Sequence, residues 1–464
     1  MKILLINPPI PAKFYNDEFY LPSSLLYLGA ALKNNGDDVR IVDLKAVKVP
    51  AGSEKAAYRE QFIKQALDEF SPDLIGFGCL FSGNFPDVLK LSETCKKHRP
   101  GTPIAAGGIH FTIYAEEILK NCPSFDWVVL GEGEETIVRL ANTIKSGKQE
   151  FNELDGFAYR NNGKILVNQK TRYITDIDSI AFPAYDLIDL KDYYVDTSKW
   201  HNPKNLPINT SIPIITSRSC PNKCNFCSMY MVMGPKWRAR SAKNVVDELE
   251  FLYKKHGHRH FSFMDDNLTL HRGRTLELCG EIVSRKLDIQ FETPNGLNIN
   301  TLDKEVLDAL VNAGMVRVSI AIESGSDLIR NKIMRKNLSK NKIMEVVKLL
   351  KAYPHLHTSA FFIIGMPEET KETLQDTYAL IKEIDFDKIH IHNIIPFPCT
   401  DLFKQSYKDE LLINIDTKDM YKSDDLYFKN FEHFFIKPYK LEISELKEFR
   451  CKCDGLLAGK GKQR

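Results

Sequence analysis

The chain has 464 residues, 43% of them hydrophobic, and a formal net charge of +2. That length accommodates two or three domains with buried cores, and the composition is that of a globular protein. The charge gives no electrostatic reason to expect nucleic acid or an anionic membrane as partner, and no apolar run is long enough to span a bilayer.

The first nine residues, Met-Lys-Ile-Leu-Leu-Ile-Asn-Pro-Pro, are apolar but short and lack a small-residue cleavage site. They read as a strand and not a signal peptide, so a cytoplasmic protein is expected. Strand-like stretches at 2–7, 38–43, 74–79, 104–108 and 127–131 alternate with helical periodicity, as at 23–34 and 55–69. Residues 1–150 therefore predict a Rossmann-like, doubly wound parallel sheet, which takes ligands beyond the carboxyl ends of its strands. Residues 151–210 predict a linker with a hairpin around Asn161, Asn162 and Gly163. From 211 to 401 the alternation resumes, with strands expected at 214–217, 260–265, 290–297, 317–322, 358–364 and 388–395. That is too few for an eightfold barrel and predicts a partial (β/α)6 TIM-type barrel, with its site at the C-terminal strand ends. Residues 402–464 are polar and mostly helical in pattern.

Ten cysteines in a chain this long do not make a disulfide scaffold. Cys79, Cys95, Cys122, Cys279 and Cys399 stand singly and read as small buried hydrophobes, and Cys451 and Cys453 form a C-x-C with no third ligand nearby. Cys220, Cys224 and Cys227 are different. They form C-x3-C-x2-C directly after the first barrel strand, with Phe226 before the last cysteine. Three thiolates this close can hold three irons of a cubane cluster and leave the fourth iron open, which makes a reaction centre. Structural zinc is the competing use, with His256, His258, His260 or His271 as the fourth ligand.

The cysteine loop resembles the signature of the radical S-adenosylmethionine superfamily. The resemblance runs on through Trp237-Arg-Ala-Arg-Ser241, Val245-Val-Asp-Glu248, Phe263-Met-Asp-Asp-Asn267, Ile322-Glu-Ser-Gly-Ser326, Gly365-Met-Pro-Glu-Glu-Thr370 and Pro396-Phe-Pro-Cys-Thr400. Cys399 stands where that last element usually has glycine. The resemblance implies a [4Fe–4S] cluster on Cys220, Cys224 and Cys227. It implies S-adenosylmethionine near Phe226, Asp265, Asp266, Asn267, Glu323, Ser324, Gly365 and Pro367. Asp265, Asp266 and Asn267 would accept from its ammonium, or else cap a helix; Glu323 would accept from the ammonium or a ribose hydroxyl, or else be salt-bridged. Gly325 and Gly365 would let backbone approach the ligand.

The N-terminal sheet resembles the cobalamin-binding domain that precedes many such enzymes, through Asn7-Pro-Pro9, Leu25–Leu32, Asp43, Ala106-Gly-Gly-Ile-His110 and Gly131-Glu-Gly-Glu134. This implies cobalamin near Asn7, Pro8, Asp43, Ser82, Gly107, Gly108, His110, Gly131, Glu132 and Gly133. The Asp-x-His-x-x-Gly element that carries a cobalt-ligating histidine elsewhere is absent. His110 is then either a substitute ligand or a hydrogen-bonding loop residue. The resemblance implies a 5′-deoxyadenosyl radical, a small-molecule substrate, an electron donor such as flavodoxin or ferredoxin, and methyl transfer to an unactivated carbon. The same cofactors would also serve cyclisation, rearrangement or oxidation, and a zinc-stabilised binding protein is the non-catalytic alternative. The pattern singles out no catalytic side chain.

Overall fold

The computed structural model describes residues 1–10, 21–148, 150–193, 201–422, 426 and 433–459. The chain forms two compact units, one of residues 1–194, 231–234 and 416–428 and the other of 195–230, 235–415 and 429–464.

In the first unit, strands β1 (Lys2–Asn7), β2 (Asp38–Asp43), β3 (Leu74–Gly78), β4 (Ile104–Gly107), β5 (Trp127–Val129), β6 (Phe157–Asn161) and β7 (Lys164–Asn168) form one sheet in the order β2-β1-β3-β4-β5-β6-β7. β1 to β5 pair in parallel. Helices cover both faces, which is why β1 is apolar throughout: Leu4 and Ile6 enter one core while Ile3 and Leu5 enter the other. The strand order reverses between β1 and β3, the switch point at which such sheets take ligands. The hairpin expected in a linker instead extends this sheet, β6 pairing antiparallel with β5. Phe157 and Tyr159 draw it in, joining the core that Trp127 flanks. Its turn holds Asn162 at φ 49° and Gly163 at φ 77°, the backbone a two-residue hairpin needs.

The second unit contains β8 (Ile212–Ile214), β9 (Ser217–Arg218), β10 (Arg238–Ala239), β11 (His260–Phe263), β12 (Gln290–Leu297), β13 (Met315–Glu323), β14 (His357–Ile364) and β15 (Lys388–Asn393). Six of these make a parallel sheet in the order β15-β14-β13-β12-β11-β8, the strand-after-strand order of a partial barrel. The expected first strand is split. β8 ends at Ile214, and Ser217–Arg218 leaves to pair antiparallel with Arg238–Ala239.

The two faces of this sheet differ sharply in chemistry. Phe261, Phe263, Phe291, Val318, Ile320, Ile322, Ala360, Phe362, Ile389 and Ile391 are all buried on one face. The alternate positions carry His260, Ser262, Glu292, Arg317, Ser319, Glu323, His357, Ser359, Phe361, Lys388, His390 and His392. A closed barrel fills its interior with branched aliphatics; this open one presents a polar inner wall. Among the described residues, no helix is long and apolar enough to cross a membrane.

Candidate active site

The cysteine loop is closed at its base. The β9–β10 ladder pairs Ser217 with Ala239 and Arg218 with Arg238. Arg240 donates from its backbone N–H to Thr216 O at 2.9 Å and from its guanidinium to Ile215 O at 3.1 Å. The same guanidinium is held by buried Glu248 and by Asn244 Oδ1. Arg274 adds bonds to Arg240 O (2.7 Å) and Thr216 O (2.8 Å). The Trp237–Ser241 segment is thus the clamp of the loop, and Ser241 also caps the following helix through Asn244 N–H.

Within the loop, Cys224 is buried and Cys220 and Cys227 are half-buried. Asn267 Nδ2 donates to Cys220 Sγ at 3.5 Å. Burial pushes the Cys224 thiol up to about 11 and raises that of Cys227, while the nearby Lys336 ammonium opposes both shifts. Buried thiols of that kind become thiolates only when cations are supplied, as irons would supply them. Among the described residues no three His, Cys, Asp or Glu side chains converge on one metal ion, as zinc would require. In a cubane each thiolate takes its own iron, so the thiols need to share a loop but not a point. The four histidines have other places. His260 pairs with Ser211, His271 caps a helix through Arg274 N–H, and His256 and His258 stack on each other. The donor set therefore fits an iron–sulfur cluster.

Asp265, expected to face a ligand, is turned inward. It is 3% exposed and accepts from Thr216 Oγ1 at 2.7 Å and from Ser217 Oγ, anchoring the loop base. Asp266 is the carboxylate left for a ligand. Burial, and then the Asp265 charge, push it up to about 6, and one bond from Ser219 N–H opposes them. Asn267 Oδ1 is buried without a hydrogen-bond partner, so its amide presents an acceptor beside Cys220.

Glu323 ends β13 at φ 70°, a left-handed backbone that costs a non-glycine residue about 1–2 kcal/mol. Its carboxylate pairs with Lys336 Nζ at 2.6 Å. Lys336 was not singled out in the sequence. Fully buried Arg330 brings it there, with bonds to Ser324 O (2.7 Å) and Leu338 O (2.6 Å) that fold the segment back after the π-helical turn Leu328–Ile333. The loop itself leans on this segment, because Asn225 N–H donates to Met334 O at 3.4 Å. Phe226 packs against Ile329, Met334 and Met366 in a small core.

The remaining expected contacts serve the loops. Ser324 Oγ bonds Thr377 Oγ1 at 3.2 Å. A Cβ on Gly325 would lie 2.4 Å from Asp376 O, so that glycine admits a helix and not a ligand. Gly365 (φ 95°) and Met366 both donate their N–H groups to Glu369, whose carboxyl burial pushes up to about 8. Glu369 thus shapes the Gly-Met-Pro turn, and Pro367 O accepts from Tyr439 N–H at 2.9 Å. Cys399 adopts φ 68°, so the loop keeps the conformation glycine would favour even without it.

In the first unit, the loops after β1 and β3 meet at the switch point through Asn84 Nδ2 and Pro9 O at 2.8 Å. Pro11 and Ala12, further along the first loop, lie outside the described residues. Asp43 is buried and shared by Asn7 Nδ2 (2.8 Å) and Tyr193 OH (2.6 Å), and Glu132 accepts from Ile174 N–H. A Cβ on Gly108 (φ 107°) would strike Cys79 O at 2.3 Å, and one on Gly107, Gly131 or Gly133 would crowd protein atoms at 3.2 Å or less. These glycines bring the strand-end loops together. His110 is fully buried, bonded to Ser82 Oγ at 3.0 Å and packed on Phe85 at 4.5 Å, and burial lowers it to about 3. It serves as a hydrogen-bonding loop residue through Nδ1, and it occupies Ser82 as well. What faces outward is apolar: Leu80 and Phe81, just after β3, are 59% and 39% exposed. An exposed apolar ledge beside small, closely packed loops suits a broad, flat cofactor such as a corrin ring. Sequence patterning singled out neither residue, because they follow the strand expected at 74–79 as two more apolar side chains.

Residues 214–381 match the Radical SAM superfamily and residues 17–141 match the B12 binding domain family. The chain is a cobalamin-binding radical S-adenosylmethionine enzyme. Its cofactors are those of the two domains: a [4Fe–4S] cluster, S-adenosylmethionine and cobalamin. The enzyme is 29% identical, over 90% of its length and 85% of the relative's, to an uncharacterized methyltransferase of Pyrococcus horikoshii. It is 28% identical to the anaerobic magnesium-protoporphyrin IX monomethyl ester cyclase of Rubrivivax gelatinosus, over 83% of this chain and 66% of that one. Its fold matches the radical S-adenosylmethionine methyltransferase TsrM of Kitasatospora setae, solved with cobalamin and a [4Fe–4S] cluster, at TM-score 0.67. That match has 19% identity and covers 88% of this chain and 75% of TsrM.

Proposed function

We propose that this radical enzyme methylates an unactivated carbon of a small-molecule biosynthetic intermediate. The observation that carries the reading is the cysteine loop itself, clamped at the mouth of an open barrel whose inner wall is polar. The named methyltransferase relative, matched over most of both chains, supports the choice of methyl transfer. When bound, the cluster supplies the electron that cleaves S-adenosylmethionine, and cobalamin supplies the methyl carrier. Cys220, Cys224 and Cys227 would hold three irons. Asp266 and the Asn267 amide oxygen would take the ammonium of S-adenosylmethionine. Asp265, Glu323 with Lys336, and Glu369 would position loops without touching the ligand. In the first unit, the ledge at Leu80 and Phe81 would carry the corrin ring, with no protein imidazole from His110. A flavodoxin- or ferredoxin-type donor in a reducing cytoplasm would supply electrons.

The test is product analysis after anaerobic reconstitution with S-adenosylmethionine deuterated in its methyl group. The reading expects both 5′-deoxyadenosine and S-adenosylhomocysteine, with the label in the product. A product of unchanged carbon count, formed with 5′-deoxyadenosine alone, would instead favour ring formation, a second reading that the cyclase relative supports.

A further inference from the structure

The cysteine loop has an outer rim as well as a clamped base. Asn225, between the second and third cysteines, is held from both sides: its N–H donates to Met334 O at 3.4 Å, and its O accepts from Leu402 N–H at 3.0 Å. The two flanking segments are tied to each other by Arg335 and Asp401 at 2.7 Å. Segments 219–228, 326–336 and 396–404 thus form one surface around the cysteines. Tyr230, three residues past Cys227, lies against it: burial, then Asp401, Cys227 and Cys399, raise its phenol above the usual value, and Arg335 opposes them.

That surface carries unpaired positive charge. Lys223, Lys332 and Lys404 are exposed and make no ion pair with a described residue. Each stands two residues from Asn225, Met334 or Leu402, so its Cα lies within about 7 Å of one of those bonded residues. The carboxylates of the three segments are Asp327 and Asp401, and both are paired, Asp327 with buried Arg330 at 2.9 Å and Asp401 with Arg335. Lys336 is paired with Glu323. The whole chain has a net charge of only +2, so these three lysines are a local concentration and not part of a general field. Apolar side chains stand among them: Leu328 is 51% exposed and Phe397 37%. Cations set around exposed apolar side chains suit a transient contact with an acidic protein, the charges steering the encounter and the apolar groups seating it.

We propose that Lys223, Leu328, Lys332, Arg335, Phe397 and Lys404 form the docking surface for an acidic protein that carries one electron. The inference rests on the reading that the three cysteines hold a redox cluster. What selects a redox carrier over another polyanion is the centre of the surface. Asn225 adjoins Cys224, so a partner docked there meets the chain within a few residues of all three thiols. One electron passes from the carrier, which is oxidised, to the cluster, which is reduced; no bond forms or breaks and no proton moves. Transient redox contacts bury less than about 1,200 Å² in total, an area that three short segments can supply.

Plasmon-resonance binding of an acidic flavodoxin to the full-length, cluster-loaded enzyme tests it, with stopped-flow reduction of the cluster by flavodoxin hydroquinone and, separately, by dithionite. The triple variant Lys223→Glu, Lys332→Glu, Lys404→Glu should weaken flavodoxin binding and slow reduction by flavodoxin by about tenfold, while reduction by dithionite stays within about twofold. Raising the salt from about 0.05 M to about 0.5 M should weaken binding to the unaltered enzyme in the same way. Lys351→Glu, at an exposed lysine just past the helix Lys340–Leu350 that leads into the start of β14, should change neither. Unaltered flavodoxin binding in the triple variant, salt-independent binding, an equal loss in Lys351→Glu, or no binding of flavodoxin at all would overturn the proposal. So would a single-stranded oligonucleotide that binds the unaltered enzyme as tightly as flavodoxin and is lost in the same variant. Should the triple variant fail to fold, Lys223→Glu alone and the salt series decide. A reducible cluster without flavodoxin binding would sink the docking surface alone, and flavodoxin binding through these lysines to a chain that forms no reducible cluster would sink only the redox reading.

Discussion

Replacing Lys336 by methionine removes one charge from an enclosed ion pair beside the cysteine loop and keeps the length of the side chain. Lys336 and Glu323 side chains are 16% and 7% exposed and meet at 2.6 Å. Burial alone would lower the ammonium's pKa, but Glu323, and then the Cys224 and Cys220 thiols, reverse this and hold it above its ordinary value. Glu323 also sits at φ 70°, so its backbone strain is tolerated only while the pair fixes it. Losing one partner of a buried pair costs about 3–5 kcal/mol, because the other charge is stranded. For a unit of this size, that corresponds to a fall in Tm of about 10 °C. Thermal unfolding of the cluster-free chain, followed by circular dichroism, measures it. Glu323→Gln in the Lys336→Met background removes the stranded charge and should recover more than half of the loss. Additivity of the two substitutions, or a fall of less than about 2 °C for Lys336→Met, would refute the claim that the pair holds this loop.

Three other outcomes follow from the same geometry. Cys399→Gly should raise the urea midpoint, by about 1 kcal/mol of stability, since φ 68° suits glycine; a lower midpoint would contradict that strain. Glu369 has its pKa raised from 4.5 to about 8 by burial, so its carboxyl is neutral in the fold and ionises first in the unfolded chain. Its contribution is full below pH 4.5 and is lost as pH rises through 8, at about 1.4 kcal/mol per unit between them. Glu369→Gln should flatten that slope, and identical pH profiles of urea stability would count against it. His110→Phe should leave the absorption and Co(II) paramagnetic-resonance spectra of bound cobalamin unchanged, because the imidazole is fully buried, bonded through Nδ1 to Ser82 and packed on Phe85. Loss of a nitrogen splitting in that variant would identify it as a ligand after all.

The strands of both sheets were legible because parallel strands covered on both faces are unbroken apolar runs, as in β1, or strict alternations, as in β15. The cysteine loop was legible because its ligands are local in sequence. What the sequence hid is non-local. Nothing in residues 324–340 announces that Arg330 folds the chain back so that Lys336 meets Glu323, thirteen residues away. Asp265 and Asp266 are neighbours of the same type, yet one anchors Thr216 and Ser217 and the other stays available; only the strand end decides which way each points. The hairpin at 157–168 was read correctly as a hairpin, but its edge partner β5 lies outside any local window.

Cys220, Cys224 and Cys227 would hold a cluster with one open iron. Paramagnetic-resonance spectroscopy of the reduced, anaerobically reconstituted enzyme tests it most directly, with and without S-adenosylmethionine. Expected are about four iron and four sulfide per chain, a [4Fe–4S] signal that shifts when S-adenosylmethionine is added, and loss of that signal in Cys220→Ala, Cys224→Ala and Cys227→Ala. A cluster signal indifferent to S-adenosylmethionine, or full iron content in those variants, would contradict it.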